Sequence, residues 1–219
     1  MTIAKTPSPI RVETGQGDIR TIQWRRTWEQ FKHLQKGFEN TRGIRLFYYN
    51  GTIEILIPGE THELFKSIIG FLIETFLFNR AIEFKPTGSM TQEKEGIAAA
   101  EADESYEIEG FKLAIEVNFT SSDASKLERY AALEVDEVWI WEDGVLAVYH
   151  LQSDKHEKAN HSLIPVLSSL DLKLLSECIL MGETSRIKAA KKLLLETDFP
   201  PHPRHVGTDS PHPPNQNYP

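Results

Sequence analysis

Asp103, Glu116 and Lys126 place two carboxylates and one ammonium in the stretch EADESYEIEGFKLAIEVNFTSSDASKLERY, where charged residues interleave with apolar runs. Two carboxylates that converge on one point repel, and such a pair persists by sharing a proton or by holding a hard divalent cation. Mg²⁺ suits this set, with Mn²⁺ as substitute, because it accepts one or two carboxylates and keeps several waters. A lysine beside the ion completes an arrangement that hydrolyses phosphodiesters. The ion lowers the pKa of bound water and neutralises the phosphate, and the ammonium orients the attacking water. Each residue alone also fits a structural role: Asp103 an exposed turn acid, Glu116 a salt bridge to Lys112 or Lys126, Lys126 a solvated helix lysine. The three together point to a site.

Such a site needs elements that bring the three groups together. FKLAIEVNF alternates as a strand, with Phe111, Leu113, Ile115, Val117 and Phe119 on one face and Lys112, Ala114, Glu116 and Asn118 on the other. Glu116 and Asn118 therefore point the same way. SSDASKLERYAAL predicts a helix capped by Ser121 or Ser122, which puts Lys126 in its first turn at the carboxyl end of the Glu116 strand, where open α/β sheets bind ligands. A cation there meets the positive end of the helix dipole, a cost of about 0.3–1 kcal/mol that a nearby anion offsets. Asp123 supports the helix start and reaches Lys126 at i,i+3. DEVWIWEDGVLAVYHL predicts two strands about an Asp143-Gly144 turn, so strand, helix and strand form a right-handed βαβ crossover with parallel strands. EADESYEI supplies the preceding strand, with Asp103 at its start, and AIEFKPTG another.

Upstream, TWEQFKHLQKGF predicts a short helix capped by Thr27, and IRLFYYNGTIEILIP a hairpin about Asn50-Gly51. THELFKSIIGFLIETFLF predicts a long helix that packs on that hairpin, and residues 183–196 a last amphipathic helix. Residues 1–20 read as a loose lead-in, 21–196 as one domain and 197–219 as a disordered Pro/His-rich tail. A net charge of −8, from 24 basic against 32 acidic residues, disfavours a broad basic face for nucleic acid, though not a local one. The absence of an 18-residue apolar run argues against a membrane helix. The polar N-terminal segment and the single cysteine, Cys178, point to the cytoplasm. His202, His205 and His212 sit in the tail as adventitious chelators at best, and no P-loop or GxSxG motif is present. Trp24, Trp28, Trp139 and Trp141 read as core or interface aromatics, with stacking on unpaired bases as the alternative.

The order of acid, strand glutamate and lysine, with hairpin and βαβ context, resembles the PD-(D/E)xK nuclease superfamily. EADESYEI followed by FKLAIEVNFTSSDASKLERYAAL and VDEVWIWEDGVLAVYHL resembles the Uma-two family of restriction endonucleases, a likeness that covers roughly residues 28–195 and is most specific over 101–150. The resemblance implies an α/β, restriction-endonuclease-like core: a mixed central sheet with an N-terminal hairpin, a βαβ crossover and flanking helices. It implies a Mg²⁺-dependent endonuclease acting on DNA, with a homodimer as one assembly it admits. Asp103 then takes the place of the first acid, Glu116 the second and Lys126 the lysine, while Glu63, in the first turn of the long helix, matches a further metal ligand found in parts of the superfamily. The helix dipole already favours a glutamate there, and His62 beside it suits ligand orientation, phosphate contact, capping or packing equally. Ala102 stands where the motif has proline, and Asn118 where an ExK motif has lysine, so catalysis requires Lys126 to reach back from the helix. A silent member of the fold, binding nucleic acid or protein, is the alternative, and a nuclease acting on RNA is a third reading.

Overall fold

The computed structural model describes residues 10–89, 91–119 and 125–197. The chain runs through β1 (Ile10–Gly15), β2 (Asp18–Trp24), α1 (Trp28–Gly37), β3 (Arg45–Tyr49), β4 (Thr52–Ile57) and α2 (Glu60–Asn79). It continues through β5 (Phe84–Pro86), β6 (Gln92–Lys94), β7 (Ala98–Ala100), β8 (Glu104–Ile108), β9 (Phe111–Asn118) and α3 (Ser125–Ala132). The last elements are β10 (Glu137–Glu142), β11 (Val145–Gln152), β12 (Lys155–Ala159), α4 (Leu172–Gly182) and α5 (Arg186–Glu196).

The fold is mixed α/β with two six-stranded sheets. The first, in the order β1-β2-β4-β3-β7-β6, is antiparallel throughout. The second, β12-β11-β10-β9-β8-β5, is antiparallel except where β9 and β10 run parallel across the α3 crossover. Local chemistry explains the best-marked elements. Thr27 and Gln30 close a capping box at the start of α1. Asn50 and Gly51 at φ 43° and 83°, and Asp143 and Gly144 at φ 49° and 79°, are the positive-φ pairs that two-residue hairpin turns require.

β9 divides the interior. Leu113, Ile115 and Val117 bury into an apolar core with Phe65, Ile69, Leu72 and Phe76 of α2 and with residues of α4 and α5. Each such side chain contributes about 1.5–3 kcal/mol on burial. Ala114, on the opposite face, packs with Phe47, Leu56, Tyr130, Val138 and Ile140.

Four expectations need correction. Residues 10–20 are not a loose lead-in, because β1 and β2 pair through a turn in which Gln16 and Gly17 have φ 48° and 88°. Gln is not a residue that marks such turns, so IRVETGQGDIR gives little hairpin signal. The β3–β4 hairpin does not enter a single mixed central sheet: β2 and β7 take its edges and build the separate first sheet. α2 consequently packs on β9, α4 and α5 rather than on that hairpin. The last helix begins at Arg186 with Ser185 as N-cap, and α4 precedes it where no helix was expected. The expected caps Ser121 and Ser122, the supporting Asp123 and residues 198–219 of the tail lie outside the described residues. Among the described residues no helix is long and apolar enough to cross a membrane.

Candidate active site

Glu116 is 1% exposed in the middle of the second sheet, a position where a charge needs partners. α3 supplies them. The Tyr130 hydroxyl donates to Glu116 Oε1, and Lys126 Nζ lies 3.4 Å from Glu116 Oε2 and 3.3 Å from Asn118 Oδ1. Asn118 Nδ2 in turn donates to Glu142 Oε1 at 2.8 Å, which turns its carbonyl oxygen to the lysine. Lys126 thus reaches back from the helix to Glu116 and Asn118 on the β9 face. The Tyr130 hydroxyl is held protonated by burial first and by the Glu116 charge second.

Asp103, just before β8, is tied to the same strand. Its backbone N–H donates to Ile115, and its Oδ2 accepts from the backbone N–H of Val117 at 2.6 Å, next to Glu116. Its Oδ1 meets His62 Nε2 at 2.8 Å and pairs with the Arg45 guanidinium. His62 is fully buried at the start of α2, and its Nδ1 lies 2.9 Å from Asp18 Oδ2. His62 thus bridges the two carboxylates, and Arg45 Nη1 lies 3.4 Å from its Nε2. Asp18 is itself anchored, its Oδ1 accepting from Gly59 N–H at 2.7 Å. Arg45 Nη2 continues to Glu63 Oε1 at 2.7 Å, so Glu63 meets Asp103 through Arg45; Lys66 Nζ lies 3.4 Å from its other oxygen.

A third acid completes the interior. Glu54 of β4 accepts from Arg20 Nε at 2.8 Å and Nη2 at 3.1 Å, and from Arg129 Nη1 at 3.3 Å. Burial works to raise its pKa, but Arg129, the Arg20 hydrogen bond, Lys126 and the Arg20 charge outweigh it and lower the value from 4.5 to about 2. Arg129 also stacks 4.2 Å over the Phe47 ring. Asp18, Glu54, Asp103 and Glu116 thus lie among Arg20, Arg45, Lys126 and Arg129, all buried, four acids and four bases around the site; buried Glu137 bonds elsewhere, to Trp139 and the Leu163 N–H. Half-buried Glu101 and Glu104 near Arg45 have raised pKa values, in both cases chiefly through burial.

A hard cation would need carboxylate oxygens with acceptor capacity to spare. An ionised carboxylate offers about four lone-pair directions. Among the described contacts, Asp103 uses three and Glu116 two, which leaves acceptor capacity on each. No group of three or more His, Cys, Asp or Glu side chains among the described residues is arranged to hold a metal, so such an ion would rest on these two acids, the Asn118 carbonyl and water.

Asp103, Glu116 and Lys126 therefore gather at the end of β9, with Glu63 linked in through Arg45. Sequence reasoning missed Arg45, Asp18, Tyr130 and the Arg20–Glu54–Arg129 set. Glu54, flanked by Ile53 and Ile55, carried the same signal as Glu116, a lone charge in an apolar strand. No family model matches the chain, and no curated protein matches it.

Proposed function

We propose that the chain is a metal-dependent endonuclease of the PD-(D/E)xK type that hydrolyses phosphodiester bonds in DNA. The observation that carries this reading is the position of Lys126 Nζ, 3.4 Å from Glu116 and 3.3 Å from Asn118, on the strand whose backbone holds Asp103. Asp103 and Glu116 would hold Mg²⁺ or Mn²⁺, which when bound supplies a water of lowered pKa and neutralises phosphate charge. The protein's own groups do the rest. Val117 N–H and His62 keep Asp103 oriented, Tyr130 keeps Glu116 oriented, and Lys126 donates to the attacking water or to a phosphate oxygen. A cytoplasmic location and a homodimer fit this reading.

A second reading, a silent module of the same fold that binds nucleic acid or protein, is favoured by one feature. Each carboxylate already has a buried cation, Arg45 at Asp103 and Lys126 at Glu116, so the interior is balanced without an ion. Plasmid and oligonucleotide cleavage in Mg²⁺ or Mn²⁺ by wild type, Asp103→Ala, Glu116→Ala and Lys126→Ala separates the two. Cation-dependent cleavage lost in each variant supports the nuclease. No cleavage by the wild type, with retained binding, supports the module, and cleavage of RNA alone would correct the substrate.

A further inference from the structure

We propose that Arg45 is a built-in counter-cation of Asp103 that a divalent ion must displace, its guanidinium withdrawing onto Glu63 as the ion arrives. This rests on the metal-dependent reading above. Arg45 opens β3 and is 5% exposed, yet its two terminal nitrogens face different surroundings. Nη1 pairs with Asp103, which is buried, while Nη2 donates to Glu63, whose side chain is 48% exposed at the start of α2. A guanidinium held between an interior acid and a solvent-facing one has a second seat already formed.

Charge balance gives the reason to use it. Around the site the buried acids Asp18, Glu54, Asp103 and Glu116 equal in number the buried bases Arg20, Arg45, Lys126 and Arg129, with His62 in addition between Asp18 and Asp103; a fifth buried acid, Glu137, bonds instead to Trp139 and the Leu163 N–H. Two more positive charges in that low-dielectric space are strongly opposed unless a resident cation leaves. Lys126 is shut in beside Glu116 and Asn118, Arg129 pairs with Glu54, and the second acid on Arg20, Glu13, is only 11% exposed against 48% for Glu63, so Arg45 is the cation whose second partner opens most to solvent. Its departure leaves Asp103 in place, since the Val117 N–H and His62 still hold one oxygen each. Glu63 in this account receives the arginine and need not touch the ion.

The test is Mn²⁺ binding, followed by electron paramagnetic resonance of free Mn²⁺, to wild type, Arg45→Gln, Arg45→Lys and Asp103→Asn. Removing the competing charge should tighten binding about ten-fold in Arg45→Gln, while the charge-keeping Arg45→Lys stays within about three-fold of wild type. Asp103→Asn should abolish binding and so locates the ion. Equal affinity of wild type and Arg45→Gln would overturn the displacement and leave the metal reading standing; no binding by either would overturn both. If Arg45→Gln does not fold, the wild type still decides. Its Arg45 Nε–Hε NMR signal, assigned through Arg45→Lys, should shift and exchange faster as Mg²⁺ is added, and a signal unmoved at saturating Mg²⁺ would refute the proposal.

Discussion

The two faces of β9 solve the problem of burial in opposite ways. Toward α2, Leu113, Ile115 and Val117 join a core of aliphatic and aromatic side chains that asks only for volume and shape. Toward α3, Glu116 and Asn118 face Lys126 and Tyr130, with the Glu54 and Asp103 clusters nearby, where every charge must find a partner. An apolar core tolerates substitution by degree, because lost contacts scale with the volume removed. The charged interior does not, because removing one partner strands the other. A single strand thereby separates an interior held by packing from one held by paired charges, and only the second should respond to pH and to ions.

The contrast can be broken most forcefully at its apolar side. Phe76→Ala, at a fully buried position on α2, should cost about 3–5 kcal/mol in urea unfolding. That loss should be alike at pH 7 and pH 5; a strongly pH-dependent loss would erase the distinction between the faces. Acid titration of stability probes the charged side. The folded pKa of Glu54 is depressed to about 2 from 4.5, so its contribution is complete above about 4.5 and disappears as pH falls toward 2. The amount is on the order of 3 kcal/mol, and Glu54→Gln should flatten that part of the pH profile.

Smaller effects sharpen the boundary. A Cβ at Gly182 would meet Ile68 Cγ2 at 2.5 Å, and Ile68 is fully buried, so Gly182→Ala should overpack the apolar side by about 1–3 kcal/mol without altering the acid profile. Thr27→Ala, which removes the capping box of α1 away from both faces, should cost about 1 kcal/mol in the same unfolding measurement.

Legibility in the sequence followed the range of the forces involved. The Asn50-Gly51 and Asp143-Gly144 turns, the Thr27 cap and the β9–α3–β10 crossover were readable, since each depends on residues close together in the chain. The β1–β2 hairpin was not, because Gln16 adopts positive φ without belonging to the residue types that announce it. Nor was the split into two sheets, which depends on β2 and β7 claiming the edges of the β3–β4 pair. Within the site, Asp103, Glu116 and Lys126 stood out by type and spacing, whereas Arg45 and Asp18 did not, lying in segments with no chemical pattern of their own.

By itself the sequence determined which side chains share a face of β9, because a strand's backbone turns successive residues to opposite sides whatever surrounds it. Only the tertiary structure decided that Arg45 and His62 would meet Asp103, and that Arg20 and Arg129 would meet Glu54. The partner of a buried charge is whichever distant segment the packing delivers, and no periodicity along the chain encodes that choice.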